Sequence, residues 1–386
     1  MMEVEYDLAK TVLYDSPNSL ERFFGLLPVE DLAHVQSPPS TPTPCGHARK
    51  LGERLGLPWL FLKHEAALPT GTTKDRMAYV SLAFLHECGV RVFCTSSTGN
   101  SSTSYAHAIA HYPDMRMYVF TAEDFQGRVD YGATDRVTSF LLRNATFVDA
   151  FDCAATFAGR HQLVSERGFF NPGRREGLKL AFLEAAEQVP RPIDWYVQAV
   201  SSAMGVHGTY KGAKELLGMR RISRLPRLLC VQQAGCSPMV TAYKSGSEVI
   251  RPEHIVHHPT GIAQAILRGD PSRVYPYVRQ IVIESQGDFT AVTEAEIREA
   301  RRLVEELEGL SLCFSAAAAV AGLARSAQAG TVSREETVMV NLTGSDRPPS
   351  QSSAPVHWLR ASPTGWIPED AQDSVGQALW NGTPAS

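Results

Sequence analysis

Leu68-Pro-Thr-Gly-Thr-Thr-Lys74-Asp-Arg76 sets one lysine behind a tight Pro-Thr-Gly turn and ahead of an Asp-Arg pair that opens a helical pattern through Tyr79, Leu82 and Leu85. A lysine held beside apolar surface loses part of its proton affinity, and its free amine can form an imine with an aldehyde. An isolated lysine at a helix start is ordinarily a surface charge, but two further stretches argue otherwise. Thr95-Ser-Ser-Thr-Gly-Asn100-Ser-Ser-Thr-Ser104 follows the apolar run Val90 to Cys94, and Val200-Ser-Ser-Ala-Met-Gly-Val-His-Gly208 follows Trp195 to Val200. Each reads as strand, turn of small polar residues, helix, which aims backbone amides at an anion.

Outward from the lysine, Trp59-Leu-Phe-Leu-Lys63 has a strand's length and delivers the chain to the turn. Apolar strands are expected again at Val90 to Cys94, Met115 to Phe120, Ala145 to Val148, Trp195 to Val200 and Leu228 to Gln232, with helices between most of them. That alternation implies an α/β fold with a parallel sheet covered on both faces. Thr293-Glu-Ala-Glu296 is a capping box for a helix that buries Ile297, Ala300, Val304 and Leu307 and stops at Gly309. Leu310 to Phe314 and Val338 to Leu342 are the last expected strands, around a helix through Ala316 to Leu323. Residues 1–40 read as an extension with a short helix near Leu20 to Leu27. It runs into the breaker-rich Gln36 to Pro44, after which the core begins. From Pro348 the tail, with Trp358, Trp366 and Trp380, reads as an irregular wrap over the larger lobe.

Composition narrows the partner class. A chain of 386 residues, 44% hydrophobic and 20% charged, can bury two moderate cores. A net charge of −4 with both signs interspersed offers no basic field for nucleic acid and no polybasic stripe for a membrane. No apolar run approaches ~18 residues and the start is polar, so a cytoplasmic protein acting on small molecules is expected. Seven cysteines without a C-x-x-C pair fit reduced thiols. A Rossmann nucleotide site is excluded by the lack of any G-x-G. His254, His257 and His258 lack a confirming carboxylate or cysteine spacing and are assigned to loop or cleft lining, with no metal expected.

In order along the chain, these motifs resemble the threonine synthase group of pyridoxal-phosphate enzymes, which writes N-P-T-G-S-F-K-D-R at its lysine, S-T-G-N-T-S at the ring and a glycine-rich turn at the phosphate. Phe23 to Val29, Asn171 to Gly177, Thr260 to Pro271 and Asn341-Leu-Thr-Gly344 extend the likeness over roughly residues 20–347. The resemblance implies fold type II: two open, twisted, mostly parallel sheets covered by helices, with the cofactor between lobes. It implies a large domain of residues 1–77 and 166–386, a small mobile domain of residues 78–165, and a homodimer. It also implies an amino-acid substrate and the cofactor pyridoxal 5'-phosphate, held by Lys74 as a Schiff base.

The same resemblance assigns Asn100 to the phenolic oxygen of the cofactor ring. Ser97, Thr98, Gly99 and Ser101 would receive the substrate carboxylate, and Ser201, Ser202, Ala203, Met204 and Gly205 the cofactor phosphate. Thr343, with Ser345 in reserve, would face the pyridine nitrogen. A neutral hydroxyl there weakens the ring as an electron sink and favours elimination or replacement over transamination. The chain departs from the family in three places. Its phosphate turn has fewer glycines, so fewer positions suited to positive φ. Arg174 matches a family arginine that grips the leaving phosphate, but Gly168 and Phe169 replace the neighbouring Asn and Ser. Thr73 and Met77 reshape the pocket floor. A specialised relative with an altered distal site is expected, acting at Cγ or, as in cysteate or cysteine synthesis from O-phosphoserine, at Cβ. The rival reading is a degenerate relative kept as a binding protein, against which Lys74, Asn100 and Thr343 stand together.

Overall fold

The computed structural model describes residues 1–35, 41–132, 134–347 and 354–382. Its strands are β1 (Cys45–His47), β2 (Leu60–His64), β3 (Val92–Ser96), β4 (Arg116–Ala122), β5 (Val137–Leu142), β6 (Val164–Ser165), β7 (Trp195–Ala199), β8 (Arg227–Gln233), β9 (Asp288–Val292), β10 (Val338–Leu342), β11 (Val356–Ser362) and β12 (Gly365–Pro368). Its helices are α1 (Ser19–Arg22), α2 (Arg49–Leu55), α3 (Lys74–Glu87), α4 (Asn100–Ile109), α5 (Phe147–Arg160), α6 (Pro172–Gln188), α7 (Met204–Gly218), α8 (Pro238–Lys244), α9 (Tyr275–Glu284), α10 (Glu294–Glu308), α11 (Phe314–Gln328) and α12 (Ser374–Asn381).

Two six-stranded sheets result, ordered β1-β2-β10-β7-β8-β9 and β12-β11-β5-β4-β3-β6. Only β1 in the first and β12 in the second run antiparallel to their neighbours. Parallel strands covered on both faces must be apolar throughout, and β7 and β10 are buried at every residue. Alanine-rich α11 lies against β7, β8 and β10, its small side chains letting the helix approach the sheet closely. α10 starts at the Thr293–Glu296 capping box and ends at Gly309, with Ile297, Ala300 and Val304 buried, as expected.

Four sequence expectations are corrected. Ala145 to Val148 is not a strand: Thr146 and Asp149 form a capping box that starts α5, and the strand of this region is β5, eight residues earlier by its first residue. Leu310 to Phe314 is not a strand either, because Cys313 is the N-cap of α11 and its amide bonds to Gly344 O. The N-terminal extension is part of the core, with Leu20, Phe23, Leu26 and Leu27 all buried. Last, the tail assigned to the large domain and read as an irregular wrap instead extends the second sheet: β11 pairs in parallel with β5 and β12 pairs with β11. Trp380 packs among Phe120, Phe140 and Phe157, so an aromatic core reached only through tertiary contact orders the segment. Residues 36–40 of the breaker-rich stretch and 348–353 of the tail lie outside the described residues.

Candidate active site

β2, β10 and β7 are adjacent and parallel, so the chain leaves all three at one edge of the first sheet. The Lys74 turn follows β2, Ser201 to Gly205 follows β7 and Thr343 follows β10, which brings three distant motifs to the carboxyl ends of neighbouring strands. Ligands of open α/β sheets bind at such ends. The Ser97 to Ser101 turn arrives from β3 of the second sheet. A cavity of about 830 Å³ lies between them, and every expected site residue lines it except Gly99 and the reserve Ser345.

Backbone pairing aligns the lysine with Thr343. Thr73 N donates to Thr343 O at 2.9 Å, Ser345 N donates to Gly71 O at 3.1 Å, and Thr72 bridges Gly344. The Asp-Arg pair after the lysine proves structural. Asp75 accepts from Thr70 N at 2.8 Å and Thr70 Oγ1 at 2.7 Å, closing the turn. Arg76 is fully buried and reaches Glu65 at 2.6 Å and Glu184 at 2.7 Å, where Lys63 joins at 2.7 Å. Removing one member of such a network strands a buried charge at a cost of about 3–5 kcal/mol, so the start of α3 is firmly anchored.

Lys63 is satisfied by Glu184, Thr43 O and Gln188. Lys74 differs: no carboxylate pairs with it among the described residues, and it faces the cavity. Burial first, and the Arg174 charge second, lower its pKa from 10.5 to about 8. Near neutrality about a tenth is then free amine, far more than for an ordinary lysine, as a nucleophile or proton carrier needs.

Asn100, the first residue of α4, accepts at Oδ1 from Arg347 Nη2 at 2.7 Å. A guanidinium only donates, so Nδ2 is left to donate elsewhere. Gly99 holds the turn at φ 122°, where a Cβ would lie 2.7 Å from Arg128 O. The Ser97 hydroxyl is occupied, accepting from Gly99 N at 3.0 Å and Ser102 N at 3.1 Å. It shapes the turn and leaves Thr98 and Ser101 as the cavity-facing hydroxyls.

At the next turn Ala203 takes the left-handed conformation (φ 58°) as N-cap of α7. The missing glycine is thus replaced in geometry by a strained alanine, at a cost of roughly 1–2 kcal/mol. A Cβ at Gly205 would sit 2.7 Å from Gln198 Oε1 and would force that side chain to shift. The first amides of α7 have no intrahelical acceptor and, with Ser201 and Ser202, supply donors for a phosphate. Of the two hydroxyls proposed for the ring nitrogen, Thr343 lines this cavity and Ser345 a neighbouring one.

Arg174 is buried against Glu166, which binds both its Nε and Nη2, and it also touches Ser101 Oγ at 3.4 Å. Its charge is therefore compensated inside the protein. The cations that sequence reasoning did not assign are Arg167, Arg268 and Arg273, all lining the cavity with His257 and His258. Arg268 stands in the Thr260 to Pro271 stretch already singled out, but nothing local shows which way that loop faces. His254 instead turns back to accept from Arg251 N.

Two mostly parallel sheets, a cavity-facing lysine of depressed pKa and a strand-to-helix turn of amides and hydroxyls are the parts a lysine-tethered, phosphate-bearing cofactor requires. Residues 37–344 match the model of the pyridoxal-phosphate dependent enzyme family, and the chain belongs to that family. It is 30% identical over 328 residues to threonine synthase of Methanocaldococcus jannaschii, covering 84% of this chain and 79% of that one. It is 26% identical over 356 residues to cysteate synthase of Methanosarcina barkeri, covering 89% and 85%. Among solved structures, maize serine racemase superposes with a TM-score of 0.65 at 19% identity, covering 79% of this chain and 88% of that one. The cofactor is pyridoxal phosphate, and the residues present fit it: an amine for the aldehyde, an amide N–H for the ring, a hydroxyl for the nitrogen and unpaired amides for the phosphate.

Proposed function

We propose that the enzyme catalyses elimination or replacement on an amino acid carrying an anionic leaving group at Cγ or Cβ, in the manner of a threonine synthase with an altered distal site. The observation that carries this reading is the unpaired Lys74 amine facing a cavity flanked by Asn100 and Thr343. Bound pyridoxal phosphate supplies an electron sink for charge developing at the substrate Cα. Lys74 Nζ takes the proton from Cα and, for a Cγ leaving group, moves a second one at Cβ. Thr343 leaves the ring nitrogen without a carboxylate partner, which favours loss of the leaving group over transamination. Thr98, Ser101 and the first amides of α4 orient the substrate carboxylate at the positive end of the helix. Residues 78–165, joined by the tail strands β11 and β12, would close over the substrate and exclude water.

Capture of Arg174 by Glu166 supports a distal group held differently from that of a housekeeping threonine synthase, with Arg167, Arg268 and Arg273 as the available cations. The same capture, with the likeness to a cysteate synthase over 89% of this chain, favours β-replacement on O-phosphoserine as the second reading. A cytoplasmic setting is supported by seven free cysteines. Incubation with O-phosphohomoserine and O-phosphoserine, each with and without sulfite or thiol, tests both readings through released phosphate and the product amino acid. Threonine from the first substrate supports the γ route and a sulfur-bearing product from the second supports the β route. Release from neither overturns the proposal.

A further inference from the structure

Beside the main cavity, sharing Asn100, Gln264, Cys313 and Ser315 with it, lies a second pocket of about 560 Å³. Two arginines from distant parts of the chain meet there: Arg128, at the end of the short 3-10 turn after β4, and Arg347, five residues beyond β10. They are tied together, since Arg347 Nη2 donates to Arg128 O at 2.9 Å as well as to Asn100 Oδ1. Yet the Nη1 atom of each is buried without a hydrogen-bond partner among the described residues.

The surrounding groups do not cancel these charges. Neither guanidinium forms an ion pair among the described residues; Asp346 instead pairs with Arg301 at 2.8 Å. Asp130 and Asp75 favour the charge of Arg347 and Asp346 that of Arg128 without an ion pair to either among the described residues, and Asp130, Asp346 and His107 also line the pocket. Thr103 and Ser345 contribute hydroxyls to the wall. Burial of each arginine, and for Arg128 the nearby Arg347, disfavours the charged form. Two half-buried like charges, each with an unmet buried donor, are an unfavourable arrangement, and a guanidinium can be satisfied only by an acceptor. An anion between them supplies acceptors and charge together.

We infer that this pocket binds a small oxyanion of the phosphate or sulfate class, held between the guanidinium groups of Arg128 and Arg347. Its position against Asn100 and Cys313 makes it a store for an oxyanion entering or leaving the reaction, a role that rests on the reading given under Proposed function. Binding itself does not.

The test uses the full chain loaded with pyridoxal phosphate, so that the Ser201 to Gly205 turn is filled. Inorganic phosphate and sulfate are titrated calorimetrically at ionic strength fixed with chloride. A site weakened about tenfold or more in R128Q and in R347Q is expected, distinct from any oxyanion held by Arg268 and Arg273 in the main cavity, and selenate soaked into crystals should give an anomalous peak between the Arg128 and Arg347 side chains. If R347Q fails to fold because it holds Asn100, R128Q decides alone, its backbone carbonyl being retained. Unchanged affinity in a folded R128Q, or selenate bound only elsewhere, overturns the inference. Competition between phosphate and O-phosphohomoserine or O-phosphoserine marks the pocket as the holder of the leaving group, whereas simultaneous binding marks it as a site for a free oxyanion. Because the titration reads binding alone, it stands even if no phosphorylated amino acid is turned over.

Discussion

Replacing Lys74 by methionine should abolish cofactor attachment and at the same time stabilise the cofactor-free protein. The amine sits at about 8 in the folded chain against an ordinary 10.5, which corresponds to about 3 kcal/mol disfavouring the buried ammonium. The side chain is only partly shielded from the cavity, so the expected gain is discounted to about 2 kcal/mol. Methionine keeps the length of the side chain and removes the charge, which limits any cavity penalty. The sign follows from proton binding. Between pH 8 and 10.5 the unfolded wild type holds a proton that the folded wild type does not, so wild-type stability rises through that window. The advantage of Lys74→Met should be full below pH 8 and vanish by about pH 10.5. Urea denaturation of both cofactor-free proteins at several pH values measures it. A gap that is independent of pH, or that widens as pH rises, would refute the assignment of Lys74 as a desolvated, unpaired amine.

Other residues make equally specific demands. Gly205→Ala would press a methyl against Gln198, whose Oε1 accepts from Tyr196 and Asn341; cofactor affinity should fall about tenfold or more with a stability loss of about 1–3 kcal/mol, read by cofactor titration and melting. At Ala203, glycine should be accepted, since relief of the left-handed strain offsets the lost methyl, while valine should cost about 2 kcal/mol or more; equal melting temperatures for the two variants would contradict the strain. Substrate should draw the small lobe inward through its carboxylate, so small-angle scattering should detect compaction with a bound amino acid and none with its amide.

Much of the cavity lining was legible because its pattern is written locally. Lys74, Asn100 and the turn at Ser201 to Gly205 each stand between an apolar run and a helix start, and that pattern specifies a strand-to-helix junction wherever the strand lies. Helix α10 was legible for the same reason, as capping box, apolar face and terminal glycine are neighbours in sequence. The errors at Ala145 to Val148 and Leu310 to Phe314 came from short apolar runs, which helix and strand share until a cap is recognised.

The sequence by itself determined the α/β class, the strand-to-helix junction that carries Lys74 and the kind of turn that surrounds it, because these depend on periodicity and on backbone chemistry within a few residues. Only the tertiary structure decided that the tail completes the second sheet, that Glu166 claims Arg174, and that Arg128 meets Arg347 behind Asn100. Each of these is a contact between segments whose separation in sequence carries no information about their distance in space. Strand order, not local propensity, sets which loops share a cavity, and burial in that cavity then sets which charges are compensated and which are left to bind something else.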